Sequence, residues 1–257
     1  MWIRKIKPLW LRERLFWKLY WRRASLDPRL FEAASLEFEP KVRLSLQTTD
    51  IGHRQIALLG FVERDLTRCI HSLASAGGLL VDVGANYGYF TTLWAAARDT
   101  NRVLAFEASP RNFPALEANI QRNGFRDRVV AKQQAVGNTE DVMRFHPGPE
   151  DQTGWGGLSI TSNANTISVP VITLDSCFAN ASETISVLKV DVEGADTWVL
   201  EGARSLLRAR RIKHVFFEEN TTRMEALGIK PDTASKLLRG CGYTVSALTD
   251  GTPHAFL

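Results

Sequence analysis

The sequence has few cysteines, scattered histidines and no long apolar run. Cys69, Cys177 and Cys241 are far apart and odd in number, and the five histidines show no metal-type spacing. We therefore expect neither a disulfide framework nor a zinc cluster, as in a reduced, cytoplasmic protein. No stretch approaches the roughly 18 apolar residues of a membrane-spanning helix. Residues 4–23 also lack the uninterrupted apolar segment of a secretory signal.

Apolar runs alternate with helical segments along most of the 257 residues, which is typical of a parallel α/β sheet. Strands are predicted at residues 79–83, 102–106, 129–136, 185–191 and 212–217, and helices at 56–73, 89–97, 110–123, 195–208 and 232–239. Two further strands close the chain. Residues 141–168 are broken by glycine and proline and predict a hairpin-like insertion whose mobile tip folds over the acceptor as a lid.

The dinucleotide fingerprint G-x-G-x-x-G is also missing. Gly84 and Gly88 bracket the turn after the first strand, but Asn86 stands where the second glycine would be. Asp82, just before this turn, would repel a pyrophosphate and would suit a ligand that carries an ammonium and a sulfonium. The turn, which includes Ala85, therefore favours S-adenosylmethionine over NAD at the carboxyl end of the strand.

A second acidic residue follows the second predicted strand. Glu107 lies 25 residues after Asp82, where a carboxylate can accept hydrogen bonds from both ribose hydroxyls of a nucleotide. The adenine is expected near the end of the third strand, beside Gln134 and the backbone of Ala135. The alternative for Glu107 is a solvated residue before a helix, and for Gln134 a polar residue at a strand edge.

These segments together resemble the FkbM family of S-adenosylmethionine-dependent methyltransferases. The resemblance covers about residues 56–220 and rests on VDVGANYGYF (81–90), FEASP (106–110), LEAN (116–119), VPVITLD (169–175) and KVDVEGAD (189–196). The family usually has Pro in place of Ala108 and Glu in place of Asp196. The resemblance implies a class I, Rossmann-like fold with a mostly parallel seven-stranded sheet, helices on both faces and an antiparallel C-terminal finish. It also implies O-methylation of a hydroxyl on a sugar, glycolipid or polyketide-like product.

Transfer of a methyl group to an alcohol requires a proton acceptor or a metal that acidifies the hydroxyl. Asp191 and Glu193 follow the fourth core strand and are the candidate general bases. In a second arrangement, Asp191, Glu219 and Asn220 bind Mg²⁺ through oxygen ligands at adjacent strand ends. Lys189 is unusual in a central strand, and we expect it to pair with Asp191 or Asp82 as support for the site.

Basic residues are concentrated at the start of the chain. Residues 1–23 hold eight Lys or Arg against one acidic residue, a charge of +7, whereas the remainder carries −3. This asymmetry argues against a nucleic-acid groove across the enzyme. Trp10, Trp17 and Trp21 would share one face of a helix over residues 9–23. That face would contact a membrane, cover a partner's groove or pack on the protein's own domain.

The domain prediction is a basic, aromatic extension at residues 1–50, made of a helix and a hairpin or edge strand, followed by the methyltransferase domain at residues 51–257. Three other functions stay open beside the O-methyltransferase. They are a binding protein with a methyltransferase fold and no turnover, an N- or nucleic-acid methyltransferase, and a NAD-dependent oxidoreductase. An amine-clamping Asn-Pro-Pro-Tyr motif is absent, and Asn86 disfavours the oxidoreductase.

Overall fold

The computed structural model describes residues 2–21, 26–161 and 164–257. Its α-helices are α1 (Leu9–Leu19), α2 (Arg29–Glu32), α3 (Ile51–Leu59), α4 (Arg64–Ala74), α5 (Tyr89–Ala97), α6 (Phe113–Arg122), α7 (Leu174–Cys177), α8 (Asp196–Glu201), α9 (Arg204–Arg208), α10 (Thr221–Ala226) and α11 (Thr233–Gly240). Its strands are β1 (Ala34–Ser35), β2 (Arg43–Leu44), β3 (Leu79–Val83), β4 (Arg102–Phe106), β5 (Val129–Lys132), β6 (Ala135–Val136), β7 (Asp141–His146), β8 (Gly157–Ser159), β9 (Ile167–Ile172), β10 (Ile185–Val190), β11 (Ile212–Phe216), β12 (Thr244–Ala247) and β13 (Pro253–Phe256).

Seven strands form the central sheet in the order β12-β13-β11-β10-β3-β4-β5. The five strands from β11 to β5 are parallel, while β13 runs antiparallel to both β11 and β12. This architecture confirms the predicted α/β fold with an antiparallel finish. The chain moves from β3 towards one edge of the sheet and from β10 towards the other, so the order reverses between these two strands. A crevice at their carboxyl ends is where such sheets bind ligands.

The strand register brings the predicted site segments to one edge. Val83 pairs with Val190 of β10 and with Phe106 of β4. Because parallel strands end on the same side of a sheet, the residues that follow these three positions lie together. They are Gly84, Asp191 and Glu107, which the sequence places in three separate segments.

The two faces of the sheet pack into separate hydrophobic clusters. Leu80 and Val187 belong to one cluster, which also contains Phe16 of α1 and Trp94 of α5. Leu79 and Leu188 point to the other cluster, which includes α8, α9 and α11. Side chains alternate along a strand, so Asp82 and Lys189 lie on the face covered by α1, α4 and α5. On this face α4 packs against β10 and α5 against β3, whereas α1 packs on α3.

A second sheet of four strands, in the order β6-β9-β7-β8, is built mainly from the predicted insertion. β7 is antiparallel to both β8 and β9, which matches the predicted hairpin. The predicted third core strand over residues 129–136 was too long. β5 ends at Lys132, and β6 leaves the central sheet to pair with β9. Residues 162 and 163 of the insertion lie outside the described part of the chain.

Two predicted helices are each split in two by a glycine. The predicted helix at 56–73 is α3 and α4, because Gly60 has a φ of 85° and an added Cβ would lie 2.8 Å from the backbone nitrogen of Glu37. The predicted helix at 195–208 is α8 and α9, broken at Gly202. A Cβ at Gly202 would lie 2.0 Å from the carbonyl oxygen of Gly137. Both positions require glycine for close approach of another backbone segment.

The N-terminal helix is shorter than predicted and is fixed to the domain. α1 ends at Leu19, and the predicted continuation over residues 22 and 23 lies outside the described residues. Arg12 is fully buried, and its Nη1 donates to Glu37 at 2.6 Å and to the carbonyl oxygen of Leu59 at 2.9 Å. The hairpin or edge strand expected within residues 1–50 is the small antiparallel β1–β2 pair, which forms its own sheet. Among the described helices, none is long and apolar enough to cross a membrane.

Candidate active site

The glycine turn after β3 brings two strand ends into contact. Gly84 has a φ of 79°, and a Cβ added there would lie 1.9 Å from the backbone oxygen of Asp191. Glycine is therefore required at position 84 both by conformation and by space. Gly88 has a φ of 86° and forms the N-cap of α5. It lies outside the linings of the crevice and the larger cavity at this site, and its contact with the cofactor stays a prediction.

Glu107 is buried at the end of β4, as a ribose-binding carboxylate would be. One carboxylate oxygen accepts from the backbone N–H of Asn86 at 2.7 Å, and the other accepts from Ser109 N–H at 2.9 Å. Burial raises the pKa of Glu107 to about 7, although both backbone donors oppose the shift. The two bonds fix the carboxylate and leave each oxygen a further lone pair that can accept a hydrogen bond.

A narrow crevice lies at the carboxyl ends of β3 and β4. Gly84, Asn86 and Glu107 line it together with Gln134 and Ala135, as the sequence predicts for the nucleoside half of the cofactor. Its apolar wall includes residues of the second sheet, which the sequence did not predict near the cofactor. They are Val136, Phe145 and Leu158.

Asp82 is placed differently from the prediction. It is fully buried beneath the turn and lines neither the crevice nor the cavity beside it. One oxygen accepts from the hydroxyl of Thr91 at 2.6 Å, and the other lies 3.7 Å from Lys189 Nζ. Its negative charge therefore acts on the site from below, through Lys189.

Lys189 joins the two aspartates that flank the turn. Its Nζ lies 3.1 Å from Asp191 and 3.4 Å from the carbonyl oxygen of Gly84, and it lies over the ring of Phe90. Burial alone would lower the pKa of Lys189, but Asp191 and Asp82 raise it above its ordinary value. The ammonium is therefore charged, as expected from its pairing, and it orients the Asp191 carboxylate.

A larger cavity of about 620 Å³ adjoins the crevice. The two share Gly84, Asn86 and Asp191, so Asp191 stands at their junction. Ala85, predicted near the cofactor, lines only the larger cavity. The carboxylate side chains that line this cavity, besides that of Asp50, are Glu63, Asp191, Glu193 and Glu218.

Glu63 comes from the junction between α3 and α4. Its φ of 43° is in the left-handed region, which is uncommon for a residue with a side chain. The surrounding protein atoms, and next the charge of Asp191, raise the pKa of Glu63 although its side chain is exposed to solvent. His53 lines the same cavity, whereas Arg54 and Arg64 are outside its lining.

The predicted metal ligands are only partly brought together. Asp191, Glu193 and Glu218 each offer an oxygen within 4.8 Å of the others. Glu218 thus takes the place predicted for Glu219, whose electrostatic neighbours are Asp232, Ser235 and Arg239 near α11. Asn220 caps α10 by accepting from the backbone N–H of Arg223. The alternation of side chains at the end of β11 decides which glutamate reaches the cavity.

The chain is similar to proteins of a known family. A family model described as "Methyltransferase FkbM domain" matches residues 82–245, well over half of the chain. The chain belongs to the FkbM methyltransferase family. This confirms the resemblance, and the protein is an S-adenosylmethionine-dependent methyltransferase.

Two relatives and one solved structure illustrate the similarity. The chain is 25% identical over 177 residues to "Hexuronic acid methyltransferase AglP" of Haloferax volcanii, covering 68% of this chain and 67% of the relative. It is 29% identical over 204 residues to "31-O-demethyl-FK506 methyltransferase FkbM" of Streptomyces tacrolimicus, covering 68% and 75%. A putative caffeoyl-CoA O-methyltransferase of Staphylococcus aureus has a TM-score of 0.49 at 13% identity, covering 76% of this chain and 84% of that one.

In this methyltransferase the insertion closes over the crevice. Asp50, the N-cap of α3, accepts from Thr153 through both the backbone N–H at 2.6 Å and the hydroxyl at 2.9 Å. The Asn112 side chain donates to the carbonyl oxygen of Thr153 at 2.9 Å, and the Thr153 hydroxyl also contacts Asn86. The loop is thus held to three elements that surround the crevice. No local sequence pattern identifies the contact between Asp50 and Thr153, because the two residues lie 103 positions apart.

Arg223 links Glu193 to Trp155, and both of these residues line the larger cavity. Arg223 Nε lies 3.1 Å from the Glu193 carboxylate, and Arg223 Nη1 donates to the carbonyl oxygen of Trp155 at 3.2 Å. Burial raises the pKa of Glu193 to about 7, although Arg223 opposes the shift. Trp155 is half exposed and lines the cavity. The structure therefore makes Glu193 the partner of Arg223 and leaves Asp191 closer to the cofactor crevice.

Proposed function

We propose that this methyltransferase transfers a methyl group to a hydroxyl of a sugar, a glycolipid or another secondary-metabolite-like acceptor. The observation that carries this proposal is the position of Asp191 at the junction of the nucleoside crevice and the larger cavity. A carboxylate at such a junction is within reach of both the methyl donor and the acceptor. The names of the two relatives support this acceptor class, since one refers to a hexuronic acid and the other to an oxygen of FK506.

The residues around the crevice fit the cofactor. Glu107 provides a fixed carboxylate for the ribose hydroxyls, and Gly84 removes the side chain that would separate a ligand from the backbone. Gln134 and Ala135 offer polar groups beside an apolar wall, which suits an adenine ring. When bound, S-adenosylmethionine supplies an electrophilic methyl group on a cationic sulfonium.

The proton of the acceptor hydroxyl passes to Asp191 in this proposal. Lys189 holds the Asp191 carboxylate at 3.1 Å and so restricts its orientation. The acceptor oxygen gains the methyl group as it loses its proton, and positioning supplies much of the rate. Glu193 is the second candidate base, but its ion pair with Arg223 favours a role in shaping the cavity.

A metal-assisted mechanism is the second candidate. Asp191, Glu193 and Glu218 form a hard oxygen-ligand set of the kind that binds Mg²⁺. In that case the metal would lower the pKa of the acceptor hydroxyl, and Asp191 would serve as a ligand.

Calorimetric titration with S-adenosylhomocysteine, with and without Mg²⁺, tests the proposal. We expect micromolar affinity for the wild type and a loss of about thirtyfold or more in Glu107→Ala, since two charge-assisted hydrogen bonds are removed. Glu117→Ala, an exposed glutamate on α6, is the matched control and should bind like the wild type.

Hydroxylated sugars and glycolipids are then screened for methyl transfer, with an amine acceptor in parallel. Absence of S-adenosylhomocysteine binding under every condition would contradict the cofactor site. Binding without transfer to any hydroxyl acceptor would favour a binding protein, and transfer only to the amine would favour an N-methyltransferase. A clear increase of activity with Mg²⁺ would place the metal mechanism first.

A further inference from the structure

The outer face of α1 combines exposed tryptophans with basic side chains. Trp10 is 54% exposed and Trp17 is 44% exposed, high values for so large an apolar side chain. Arg14 and Lys18 are also exposed and, at helical spacing, lie on the same face as these two tryptophans. Trp21 follows on this face just after the helix, with its ring centre 6.1 Å from that of Trp17. We refer to Trp10, Arg14, Trp17, Lys18 and Trp21 as the α1 outer face.

The opposite face of the helix holds it rigidly against the domain. Phe16 and Arg12 are fully buried, and Arg12 forms an ion pair with Glu37 at 2.6 Å. Arg4, just before α1, donates to the carbonyl oxygens of Ile56 and Ala57 in α3. The α1 outer face is therefore a fixed part of the enzyme surface and presents its tryptophans in one orientation.

The α1 outer face also borders the acceptor cavity. Trp17 and Trp21 both line the cavity of about 620 Å³ that contains Asp191. Because Trp17 is half exposed and lines the cavity at the same time, it stands at the rim. A molecule that enters past this rim first crosses the α1 outer face.

The charge of the N-terminal segment favours an anionic surface as the partner. Lys5 and Lys7 are exposed near the start of α1, in addition to Arg14 and Lys18. Glu13 is the one acidic residue among residues 1–23, and Arg64 neutralises it at 3.0 Å. Exposed tryptophans with flanking Lys and Arg are the side chains that insert at the boundary between lipid headgroups and acyl chains.

We propose that the α1 outer face binds the surface of a bilayer that contains anionic lipids, with the mouth of the acceptor cavity facing that surface. The acceptor class that fits is an amphiphile whose hydroxylated head enters past Trp17 while its apolar part stays in the lipid. The identity of the acceptor rests on the proposed function. Binding to the bilayer does not rest on the proposed function and depends only on the α1 outer face.

Co-sedimentation of the full-length protein with lipid vesicles tests this inference without any methyl acceptor. We expect binding to vesicles of phosphatidylcholine with phosphatidylglycerol, weak binding to phosphatidylcholine alone, and a decrease of binding with salt. Arg14→Glu/Lys18→Glu should reduce partitioning by about tenfold or more, because each basic residue near an anionic surface contributes about a fivefold factor. Trp10→Ala/Trp17→Ala should reduce it similarly while leaving the salt dependence intact.

Arg122→Glu/Arg208→Glu is the matched control, since it makes the same charge change at exposed sites on α6 and α9. If this control loses as much vesicle binding as Arg14→Glu/Lys18→Glu, the assignment to the α1 outer face is wrong. The assignment is also wrong if the wild type does not bind anionic vesicles. Each variant is also titrated with S-adenosylhomocysteine. If Arg14→Glu/Lys18→Glu binds S-adenosylhomocysteine like the wild type but no longer binds vesicles, the inference is supported. If the wild type does not bind S-adenosylhomocysteine, only the proposed function is contradicted.

Discussion

The centre of this protein is a buried cation between two carboxylates. Lys189 is in the middle strand of the sheet, where parallel strands are normally apolar, and it contacts Asp82, Asp191 and the carbonyl oxygen of Gly84. Asp82 is therefore the fixed counter-ion, and Asp191, which is partly accessible, extends into the site. Removal of one member would leave a buried charge without a partner.

Lys189→Met should destabilise the protein by about 3 to 5 kcal/mol, since it leaves Asp82 buried and uncompensated. Urea unfolding followed by circular dichroism measures this change. Lys189→Met/Asp82→Asn should recover at least part of the loss, because the unpaired charge is removed as well. If the double variant loses as much free energy of unfolding as the two single variants together, the ion pair is not the source of the effect.

Asp191→Asn should lower kcat by about a hundredfold or more, since the amide cannot accept the proton of the acceptor. Affinity for S-adenosylhomocysteine should stay within about threefold, because the amide keeps the shape of the carboxylate. The measurement is steady-state kinetics with a hydroxyl acceptor found by the screen. Glu219→Gln, on the side of β11 that faces α11, is the control and should retain activity. Unchanged kcat in Asp191→Asn would exclude this residue as the base.

At the scale of elements, the site is assembled by loops that come from distant parts of the chain. The loop before α3, the turn after β3, the segment before α6 and the insertion all meet at Thr153 through Asp50, Asn86 and Asn112. Arg111 also donates to the carbonyl oxygen of Pro147 at 2.6 Å and holds the start of the insertion loop. These contacts hold the roof of the crevice, so their loss should open it.

Asp50→Ala should increase hydrogen exchange in residues 147–157 and lower stability by about 2 kcal/mol. It removes the N-cap of α3, where the side chain accepts from His53 N–H at 2.8 Å, and both bonds to Thr153. Hydrogen exchange with mass spectrometry and thermal unfolding measure the two effects.

Thr173→Ala removes a cap from α7 that has no contact with the loop, so it serves as the control for Asp50→Ala. It should destabilise the protein without a change in loop exchange. Equal exchange in wild type and Asp50→Ala would show that other contacts hold the loop.

At the scale of the whole molecule, several carboxyls are buried near one end of the sheet. Glu107 and Asp196 are almost completely buried, and burial raises the pKa of each to about 7. Between the ordinary carboxyl pKa and about 7, the folded state retains protons that the unfolded chain has released. The free energy of unfolding therefore decreases as pH rises through this window.

The melting temperature of the cofactor-free protein should fall as the pH rises from about 6.5 through 7 and should level off by about pH 8. Burial and His214 lower the pKa of His254 to about 4. This histidine makes the protein more stable as the pH rises, but only below about pH 6.5, the ordinary pKa of histidine. Differential scanning calorimetry across this range measures the effect. Glu107→Gln should reduce the slope, since one of the buried acids is gone. A melting temperature that rises with pH in the wild type would contradict this account.

The sequence by itself determined the order of the elements and the cofactor turn. The run at residues 79–83, Gly84, Glu107 and the closing strands have local signals, because hydrophobic period, glycine and a terminal carboxylate act within a few residues. These signals predicted β3, β4 and α5 with correct bounds and two closing strands without bounds, while the antiparallel finish was implied by the family resemblance. The family resemblance rests on the same segments.

The tertiary structure decided what depends on contacts between distant segments. It moved Asp82 beneath the turn, exchanged Glu219 for Glu218 at the cavity and split two helices at glycines that face another backbone. It also sent residues 135 and 136 into the second sheet. These outcomes depend on strand register, on the direction of a side chain after a strand ends and, at the two glycines, on the approach of another backbone segment. A local pattern carries no information about any of the three, because all are fixed only when the partner segments pack together.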